Sequence, residues 1–328
     1  MMRVGLWSLT HLHALSYIPV LCDRPDVEFV GIADEEPERG RRIAQDHGVP
    51  FFASADELLA RVEAIVITSA NVDHCSMALR AAEVRVAALV EKPIATTLSD
   101  ARAMVRAFES AGVILATAFP CPFSPAFEEL VRVVRAGELG RVLAIKATNR
   151  GVMPGGFFTQ LERSGGGAVM DHTVHVVDLL RRLTGCEATQ VYAEVGHGLY
   201  HQDWDDSGLL TIDLSDGSFA TLDCSWSRPK SYPTWGDVTL HVVGERGNAM
   251  ADLFSQHLHL YPADGSKSSW RGWGSSLDAL MINDFITAVR ESRPPCSSGV
   301  DGLKALEVTL AAYQSAKTGQ AVRIEELA

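Results

Sequence analysis

The sequence predicts a two-domain protein of mixed α/β and α+β class, in which a doubly wound parallel sheet precedes a domain with a largely antiparallel open sheet. As far as residue 120, short apolar runs alternate with helical patterns, which is typical of βαβ units. After residue 120, turn signals separate alternating segments and indicate hairpins. The chain of 328 residues is long enough for two domains, which we place at 1–120 and 121–328. We expect that the last helices can pack back on the first domain.

Five runs rich in Val, Ile and Leu account for the parallel sheet: residues 3–7, 27–33, 64–68, 84–90 and 113–118. Because continuous apolar strands are typical of a sheet buried on both faces, we predict a Rossmann-like domain with helices on both sides. Its ligand is expected at the carboxyl ends of the strands. Local signals agree, since Gly48 and Gly112 stand where helices should stop and the segment 54–57 resembles a capping box.

The second half of the chain has a different pattern. We predict a helix at 125–136, a strand at about 141–149 and, after a glycine-rich stretch, a helix at 168–183. Asp216-Gly217 lies between two alternating segments and predicts a hairpin, and the segment 244–247 predicts another turn. Two final helices are expected at 276–291 and 300–317. An exposed face of the antiparallel sheet would suit an interface between copies of the chain.

The composition argues against several classes of function. With 29 Lys and Arg against 41 Asp and Glu, the net charge of −12 is unsuited to binding nucleic acid. No apolar run approaches the roughly 20 residues of a membrane span, and no signal peptide precedes the first strand, so we expect a cytoplasmic protein. The six cysteines lie far apart without a C-x-x-C pair, which indicates reduced thiols and no structural metal.

The turn after the first apolar run lacks the glycines of a dinucleotide-binding motif. The three positions of G-x-G-x-x-G are occupied by Ser8, Thr10 and His13. Asp34 nevertheless ends the second strand, where a carboxylate can accept hydrogen bonds from an adenosine ribose and repel a 2′-phosphate. If a dinucleotide binds, NAD is therefore preferred to NADP. The alternative is that Asp34 is an ordinary turn or N-cap residue.

A lysine follows the fourth apolar run, in the sequence Glu91-Lys92-Pro93. At the carboxyl end of a parallel strand, and fixed by the rigid proline, Lys92 would project into the ligand crevice and hold a hydroxyl there. The alternative is a surface ion pair between Lys92 and Glu91.

A second group of polar residues lies in the segment 165–178. Asp171, His175 and Asp178 are spaced i, i+4 and i+7, so they share one stripe of a helix. An imidazole beside a carboxylate can accept a proton near neutral pH. The alternative is a merely solvated helix face, although the three preceding glycines indicate a tight approach or a helix entry.

These two segments, in this order and spacing, resemble the glucose-fructose oxidoreductase and inositol dehydrogenase family (Gfo/Idh/MocA). The resemblance implies that Lys92, Asp171 and His175 form the catalytic group. In such enzymes the histidine accepts the proton of a substrate hydroxyl, the lysine and aspartate position that oxygen, and hydride passes to the nicotinamide. The chain departs from the family at Cys121-Pro122, where an arginine is frequent, and at Thr173, near which a glycine is frequent.

The resemblance also implies the substrate, the cofactor contacts and the assembly. The reaction is expected to be NAD(P)-dependent oxidation of a secondary alcohol of a sugar, cyclitol or related polyol, or its reversal, by a homo-dimer or homo-tetramer. The expected cofactor contacts are Ser8, Leu9, Thr10, His11, Asp34, Ser69, Asn71, His74, Glu91 and Lys92. The expected substrate contacts are Asn149, Arg150, His172 and Trp204, whereas Trp226 is predicted to pack in the sheet.

Two other functions remain open from the sequence. His11-Leu12-His13 after the first strand is also the opening pattern of metal-dependent hydrolases, although these usually need eight βα units. A non-catalytic sugar-binding or nucleotide-binding protein could share the same fold. The presence of Lys92, Asp171 and His175 argues against it, because a binding protein has no need of a proton-transfer group.

Overall fold

The structure, a computed structural model, describes residues 1–232, 234–261, 263, 269–272 and 274–327. The chain divides into two compact units, each built from separate stretches of sequence. The first unit contains Met1–Pro120, Gln160–Gly165 and Asp278–Leu306, and the second contains Cys121–Thr159, Gly166–Leu277 and Glu307–Ala328. A single boundary at residue 120 therefore does not describe the division, because two later stretches belong to the first unit.

The first unit contains a six-stranded parallel sheet. Its strands are β1 (Met2–Trp7), β2 (Val27–Ala33), β3 (Phe51–Phe52), β4 (Ala64–Ile67), β5 (Ala87–Val90) and β6 (Leu115–Thr117). They lie in the order β3-β2-β1-β4-β5-β6, and every pair is parallel. All residues of β4 and β5 are buried, as expected for strands covered on both faces. The predicted Rossmann-like fold is confirmed, and the two-residue strand β3 is an addition to it.

The helices between these strands are α1 (Ala14–Cys22), α2 (Pro37–Asp46), α3 (Ala55–Leu59), α4 (His74–Glu83) and α5 (Leu98–Ala111). Helix α5 ends at Gly112, which adopts a left-handed φ of 69° as predicted. The capping box predicted at 54–57 is wrong, because Ser54 precedes α3 without a side-chain cap bond. A side-chain cap lies instead at α5, where Thr97 Oγ1 accepts the Asp100 N–H at 3.1 Å.

The second unit contains a seven-stranded mixed sheet. The remaining elements of the chain, in order, are α6 (Pro125–Arg135), β7 (Val142–Val152), α7 (Leu161–Ser164), α8 (Ala168–Thr184), β8 (Ala188–Gly196), β9 (Ser207–Leu214), β10 (Phe219–Arg228), β11 (Gly236–Gly244), β12 (Gly247–Asp252), β13 (His257–Leu260), β14 (Ser269–Gly272), α9 (Leu277–Glu291), α10 (Gly299–Thr318) and β15 (Val322–Arg323). Of these, α7 and, from Asp278 onward, α9 belong to the first unit, and α10 passes from the first unit to the second after Leu306. The order is β12-β11-β7-β10-β9-β8-β15, with β13 and β14 pairing separately.

Most pairs in this second sheet are antiparallel, as predicted, while β7 and β10 run parallel. The hairpin predicted at Asp216-Gly217 joins β9 to β10, and Gly217 has a φ of 85°. The turn predicted at 244–247 joins β11 to β12.

Helix α8 lies on the sheet of the second unit and is almost wholly buried. It contacts β7, β9 and β10, and Gly208 of β9 leaves room for Val169, which an added Cβ would approach to 2.6 Å. The helix ends at Gly185, which has a left-handed φ of 72°. Among the described helices, none is long and apolar enough to cross a membrane.

Candidate functional site

The turn between β1 and α1 keeps a left-handed backbone without a glycine. Ser8, at the first glycine position of the motif, has a φ of 78° and is fully buried. Its N–H donates to Ala33 O at 2.8 Å, and its carbonyl accepts the Thr68 hydroxyl at 2.6 Å. These bonds hold a conformation that a non-glycine residue adopts only at a cost of about 1–2 kcal/mol.

Asp34, at the end of β2, is bonded within its own unit. Its Oδ1 accepts the Leu9 N–H at 3.0 Å, and Arg39 of α2 binds both carboxylate oxygens at 2.6 and 2.7 Å. Arg39 also donates to Thr10 Oγ1 at 3.2 Å. The turn and the strand end therefore lie together, and Arg39, which the sequence reasoning did not include, neutralises the carboxylate.

Glu91, at the end of β5, lies against the same turn. Its Oε1 accepts the Tyr17 hydroxyl at 2.5 Å and lies 3.2 Å from His13 Nδ1, while its Oε2 lies 3.7 Å from His11 Nε2. Burial raises the pKa of Glu91, but the two imidazoles outweigh it and leave this pKa below its ordinary value. Burial likewise lowers the pKa of His13, and Glu91 outweighs it, so that the net shift is upward. Glu91 is therefore a buried carboxylate with histidines facing both of its oxygens.

Lys92 lies two residues after the end of β5 and is 3% exposed. The next residue is held by His74, whose Nδ1 donates to Pro93 O at 2.9 Å inside the protein. Burial lowers the pKa of His74, which keeps the ring neutral near pH 7. This placement makes His74 a support for the segment that carries Lys92.

Two other expected cofactor residues are also buried and bonded to the backbone. Asn71 donates to Ser164 O at 2.8 Å, within the first unit. Ser69 donates to Ala70 O at 3.1 Å. Both lie beyond the end of β4, at the edge of the sheet where a ligand is expected.

Asp171 lies in the first turn of α8 and is held by the indole of Trp226. The Trp226 indole N–H donates to Asp171 Oδ2 at 3.0 Å, and His172 Nε2 lies 3.2 Å from the same oxygen. Trp226 is fully buried in β10, so it packs in the sheet as predicted and also holds the carboxylate. Sequence reasoning missed this second role because 55 residues separate the pair.

His175 lies one helical turn after Asp171 and is 5% exposed. Its Nδ1 lies 3.9 Å from Cys121 Sγ, in the segment Cys121-Pro122 where the resemblance led us to expect an arginine. The third member of the stripe, Asp178, forms an ion pair with Arg182 through both oxygens, at 2.8 and 2.9 Å. The stripe is therefore buried rather than solvated, and Asp178 is neutralised by a residue of the same helix.

Asp205 anchors the start of α8, and together with Tyr313 it explains two of the glycines. Its carboxylate accepts the N–H groups of Gly167 and Val169 at 2.8 and 2.7 Å, and the Tyr313 hydroxyl at 2.8 Å. A Cβ on Gly167 would lie 2.0 Å from Asp205 O, and one on Gly166 would lie 2.3 Å from the Tyr313 hydroxyl. Neither anchor was identified from the sequence, because Asp205 lies outside α8 and 38 residues from Gly167.

The expected substrate residues differ in accessibility. Asn149 and His172 are fully buried and bonded to each other, since His172 Nδ1 donates to Asn149 O at 2.9 Å and Asn149 Nδ2 donates to His172 O at 3.1 Å. Trp204 is 6% exposed and packs against Trp226. Arg150 is more accessible and lies near Asp237 and Asp223. These contacts favour a supporting role around Asp171 for the three buried residues.

Comparison with known proteins identifies the family. The model described as an oxidoreductase family with an NAD-binding Rossmann fold matches residues 10–119, and the GFO/IDH/MocA C-terminal domain matches residues 127–250. The chain belongs to the GFO/IDH/MocA oxidoreductase family. The alternative of a metal-dependent hydrolase is thereby contradicted, and the six-stranded open sheet of the described residues differs from the eight βα units it needs.

Relatives match over almost the whole chain. The myo-inositol dehydrogenase Hyg17 of Streptomyces leeuwenhoekii is 30% identical over 97% of this chain and 95% of its own. The scyllo-inositol 2-dehydrogenase (NAD(+)) of Bacillus subtilis is 26% identical over 98% of this chain and 95% of its own. The crystal structure of GenD2 from gentamicin A biosynthesis, in complex with NAD, is similar in fold, with a TM-score of 0.89, 24% identity and coverage of 98% and 96%.

Proposed function

We propose that the protein is an NAD-dependent dehydrogenase that oxidises a secondary alcohol of a sugar, cyclitol or related polyol, or catalyses the reverse reaction. The observation that carries the proposal is the pair Asp171 and His175, one turn apart on a buried helix whose first turn is anchored by Asp205. The inositol dehydrogenases among the relatives support a polyol substrate. A rigid helix suits proton transfer, because the accepting nitrogen must be held within hydrogen-bond reach of the substrate.

The first unit has features that fit a dinucleotide. Ser8 supplies the left-handed backbone that the motif normally obtains from glycine, and Asp34 stands at the strand end where a ribose is read. Ser8, Leu9, Thr10 and Asp34 are the residues that would hold the adenosine half. When bound, the nicotinamide supplies the hydride acceptor.

The residues of the chain supply the proton chemistry. His175 accepts the proton of the substrate hydroxyl as the carbon–oxygen single bond becomes a carbonyl, and it returns the proton in the reverse direction. Asp171, held by the Trp226 indole, orients the hydroxyl. Lys92 stabilises the negative charge that develops on the oxygen.

The choice between NAD and NADP depends on the pair Asp34 and Arg39. The carboxylate repels a 2′-phosphate, whereas Arg39 beside it would attract one. NAD is favoured while the pair is intact. The variant Asp34→Ala removes the repelling carboxylate and leaves Arg39 paired with the more exposed Glu36, at 3.0 Å, and Glu35, at 3.9 Å. It should therefore weaken NAD binding and raise NADP affinity at least about tenfold. Unchanged affinities for both dinucleotides would mean that the ribose is read elsewhere.

The proposal is tested by calorimetric titration with NAD and NADP, followed by turnover assays with myo-inositol, scyllo-inositol and a wider polyol panel. His175→Ala should lower kcat by about 10² to 10⁴ while leaving NAD affinity unchanged. The matched control is His241→Ala, which removes a histidine from β11 of the same unit and should leave kcat unchanged. Unchanged turnover in His175→Ala would remove His175 from the mechanism. Dinucleotide binding without turnover of any polyol would favour the non-catalytic alternative.

A further inference from the structure

We propose that His11, His13 and Glu91 form a binding site for a divalent transition-metal ion, for which Zn²⁺ is the probe. The three side chains come from the turn after β1 and from the end of β5, the two strands that flank β4 in the sheet of the first unit. One ligand atom from each residue can be chosen so that all three lie within 4.8 Å of one another. The inference does not depend on the dehydrogenase activity proposed above.

The distances suit a tetrahedral ion. With metal–ligand bonds of about 2.0–2.2 Å, neighbouring ligand atoms lie about 3.4 Å apart. His13 Nδ1 lies 3.2 Å from Glu91 Oε1, and His11 Nε2 lies 3.7 Å from the other oxygen, Glu91 Oε2. With one ligand atom from each residue, the three atoms lie within 4.8 Å of one another, so a small shift of the side chains brings them to tetrahedral spacing. Two imidazoles and one carboxylate form a donor set that zinc uses when a fourth position is left open to water or another ligand.

The surroundings hold the carboxylate in place. Glu91 is 1% exposed, its Oε1 accepts the Tyr17 hydroxyl at 2.5 Å, and its Oε2 accepts the Lys92 N–H at 3.2 Å. Such outer bonds orient a metal ligand and raise its affinity. The His13 side chain is 29% exposed, which gives an ion a route to an otherwise buried group.

Binding of an ion changes the tautomer of His11. His11 Nδ1 accepts the His13 N–H at 3.2 Å, so that the proton of a neutral His11 ring lies on Nε2. When Nε2 coordinates an ion, this proton moves to Nδ1, and the hydrogen bond from the His13 N–H to Nδ1 is lost. Three metal–ligand bonds form and offset this loss. Asp278 adds a negative charge near His13 and Lys92 adds a positive one, and these oppose each other.

The second unit contains a histidine pair that must be removed from the test. His257 and His259 of β13 have their Nε2 atoms 3.2 Å apart at the surface, where two imidazoles can bind zinc weakly. The full-length variant His257→Ala/His259→Ala is therefore the starting protein. It is freed of metal and titrated with ZnCl₂ by calorimetry.

One equivalent of Zn²⁺ should bind with a Kd in the micromolar range or tighter, and Co²⁺ should give the visible absorption of a four-coordinate ion. Adding His13→Ala should weaken binding at least about 100-fold, since it removes one of three protein ligands. The matched control, His47→Ala, removes an exposed histidine of the same unit and should leave the affinity unchanged. Circular dichroism checks that the folds are equal, which is expected because His13 is partly exposed.

Absence of Zn²⁺ binding to the starting protein would overturn the inference, as would equal affinity in the His13→Ala variant. The separate NAD titration and the polyol turnover assays described above decide the dehydrogenase proposal. A failure of one is therefore distinguishable from a failure of the other.

Discussion

Replacing Asp205 by alanine should destabilise the second unit by about 3–5 kcal/mol. The carboxylate is 4% exposed and accepts three hydrogen bonds, from Gly167 N, Val169 N and the Tyr313 hydroxyl. Hydrogen bonds to a charged group contribute about 1.5–3 kcal/mol each, and their losses are not fully additive when one residue makes them all. Asp205→Asn keeps one acceptor oxygen and should cost about half as much.

The measurement is urea unfolding followed by tryptophan fluorescence. Trp204 and Trp226 lie in the same unit with ring centroids 5.3 Å apart, so they report on unfolding of this unit. The matched control is Asp203→Ala, which removes an exposed carboxylate two residues away and should change stability by less than about 0.5 kcal/mol. A loss below about 1 kcal/mol in Asp205→Ala would refute the anchoring role.

A double-mutant cycle tests the same reasoning through Tyr313. Its hydroxyl donates to Asp205 at 2.8 Å and accepts the N–H groups of Gly167 and Met170 at 3.2 and 3.1 Å. Tyr313→Phe should cost about 1 kcal/mol less in the Asp205→Ala background than in the original chain. Strict additivity would mean that the two groups do not act together.

Three further predictions concern other buried groups. The Ser8→Gly variant should be about 1 kcal/mol more stable than the Ser8→Ala variant. Both variants lose the hydroxyl, but only glycine adopts the φ of 78° without backbone strain. Equal melting temperatures of the two variants would contradict this. Burial raises the pKa of Asp237, but the Thr148 hydroxyl and the neighbouring arginines outweigh it and leave this pKa lowered. The stabilisation from this ionised carboxylate is therefore present above about pH 4 and lost as pH falls through the lower folded pKa. Asp237→Asn should destabilise the protein more at pH 7 than at pH 3, and a pH-independent loss would argue against this reasoning. Burial raises the pKa of Cys75 to about 11 and that of Cys224 to about 12. Iodoacetamide at pH 8 should alkylate both at least about 100-fold more slowly in the folded than in the urea-unfolded chain, as measured by mass spectrometry; equal rates would exclude the raised pKa values.

The parallel sheet could be predicted because its strands are continuous apolar runs. The run 27–33 matches β2 residue for residue, whereas the run 84–90 begins three residues before β5. The residues just before β5 are partly apolar, like the strand itself. An apolar run therefore does not show at which residue the hydrogen bonding between strands begins. The short strand β3 was missed because two residues carry no periodicity.

The candidate site was predictable where its residues lie close in sequence. The spacing of Asp171 and His175 is local, and it places both on one buried face of α8. The bonds that fix them are not local, since Trp226 reaches Asp171 across 55 residues and Asp205 reaches Gly167 across 38. Arg39 was missed although it lies only five residues after Asp34, because i and i+5 positions are not a recognised pairing pattern outside a helix.

The composition of the first unit limits how the chain can be cut. Thr117 of β6 is bonded to a segment more than 170 residues later, through its N–H to Ser297 O at 3.0 Å and through its hydroxyl to Ser298 O at 3.1 Å. Arg290 of α9 similarly binds Asp26 at 2.8 Å. In a fragment that ends at residue 120, the backbone groups on the outer edge of β6 would be unpaired. An unpaired edge strand can pair with other chains and so promotes aggregation. The nucleotide-binding half is therefore best expressed as a fusion that restores residues 278–306, rather than as an N-terminal truncation.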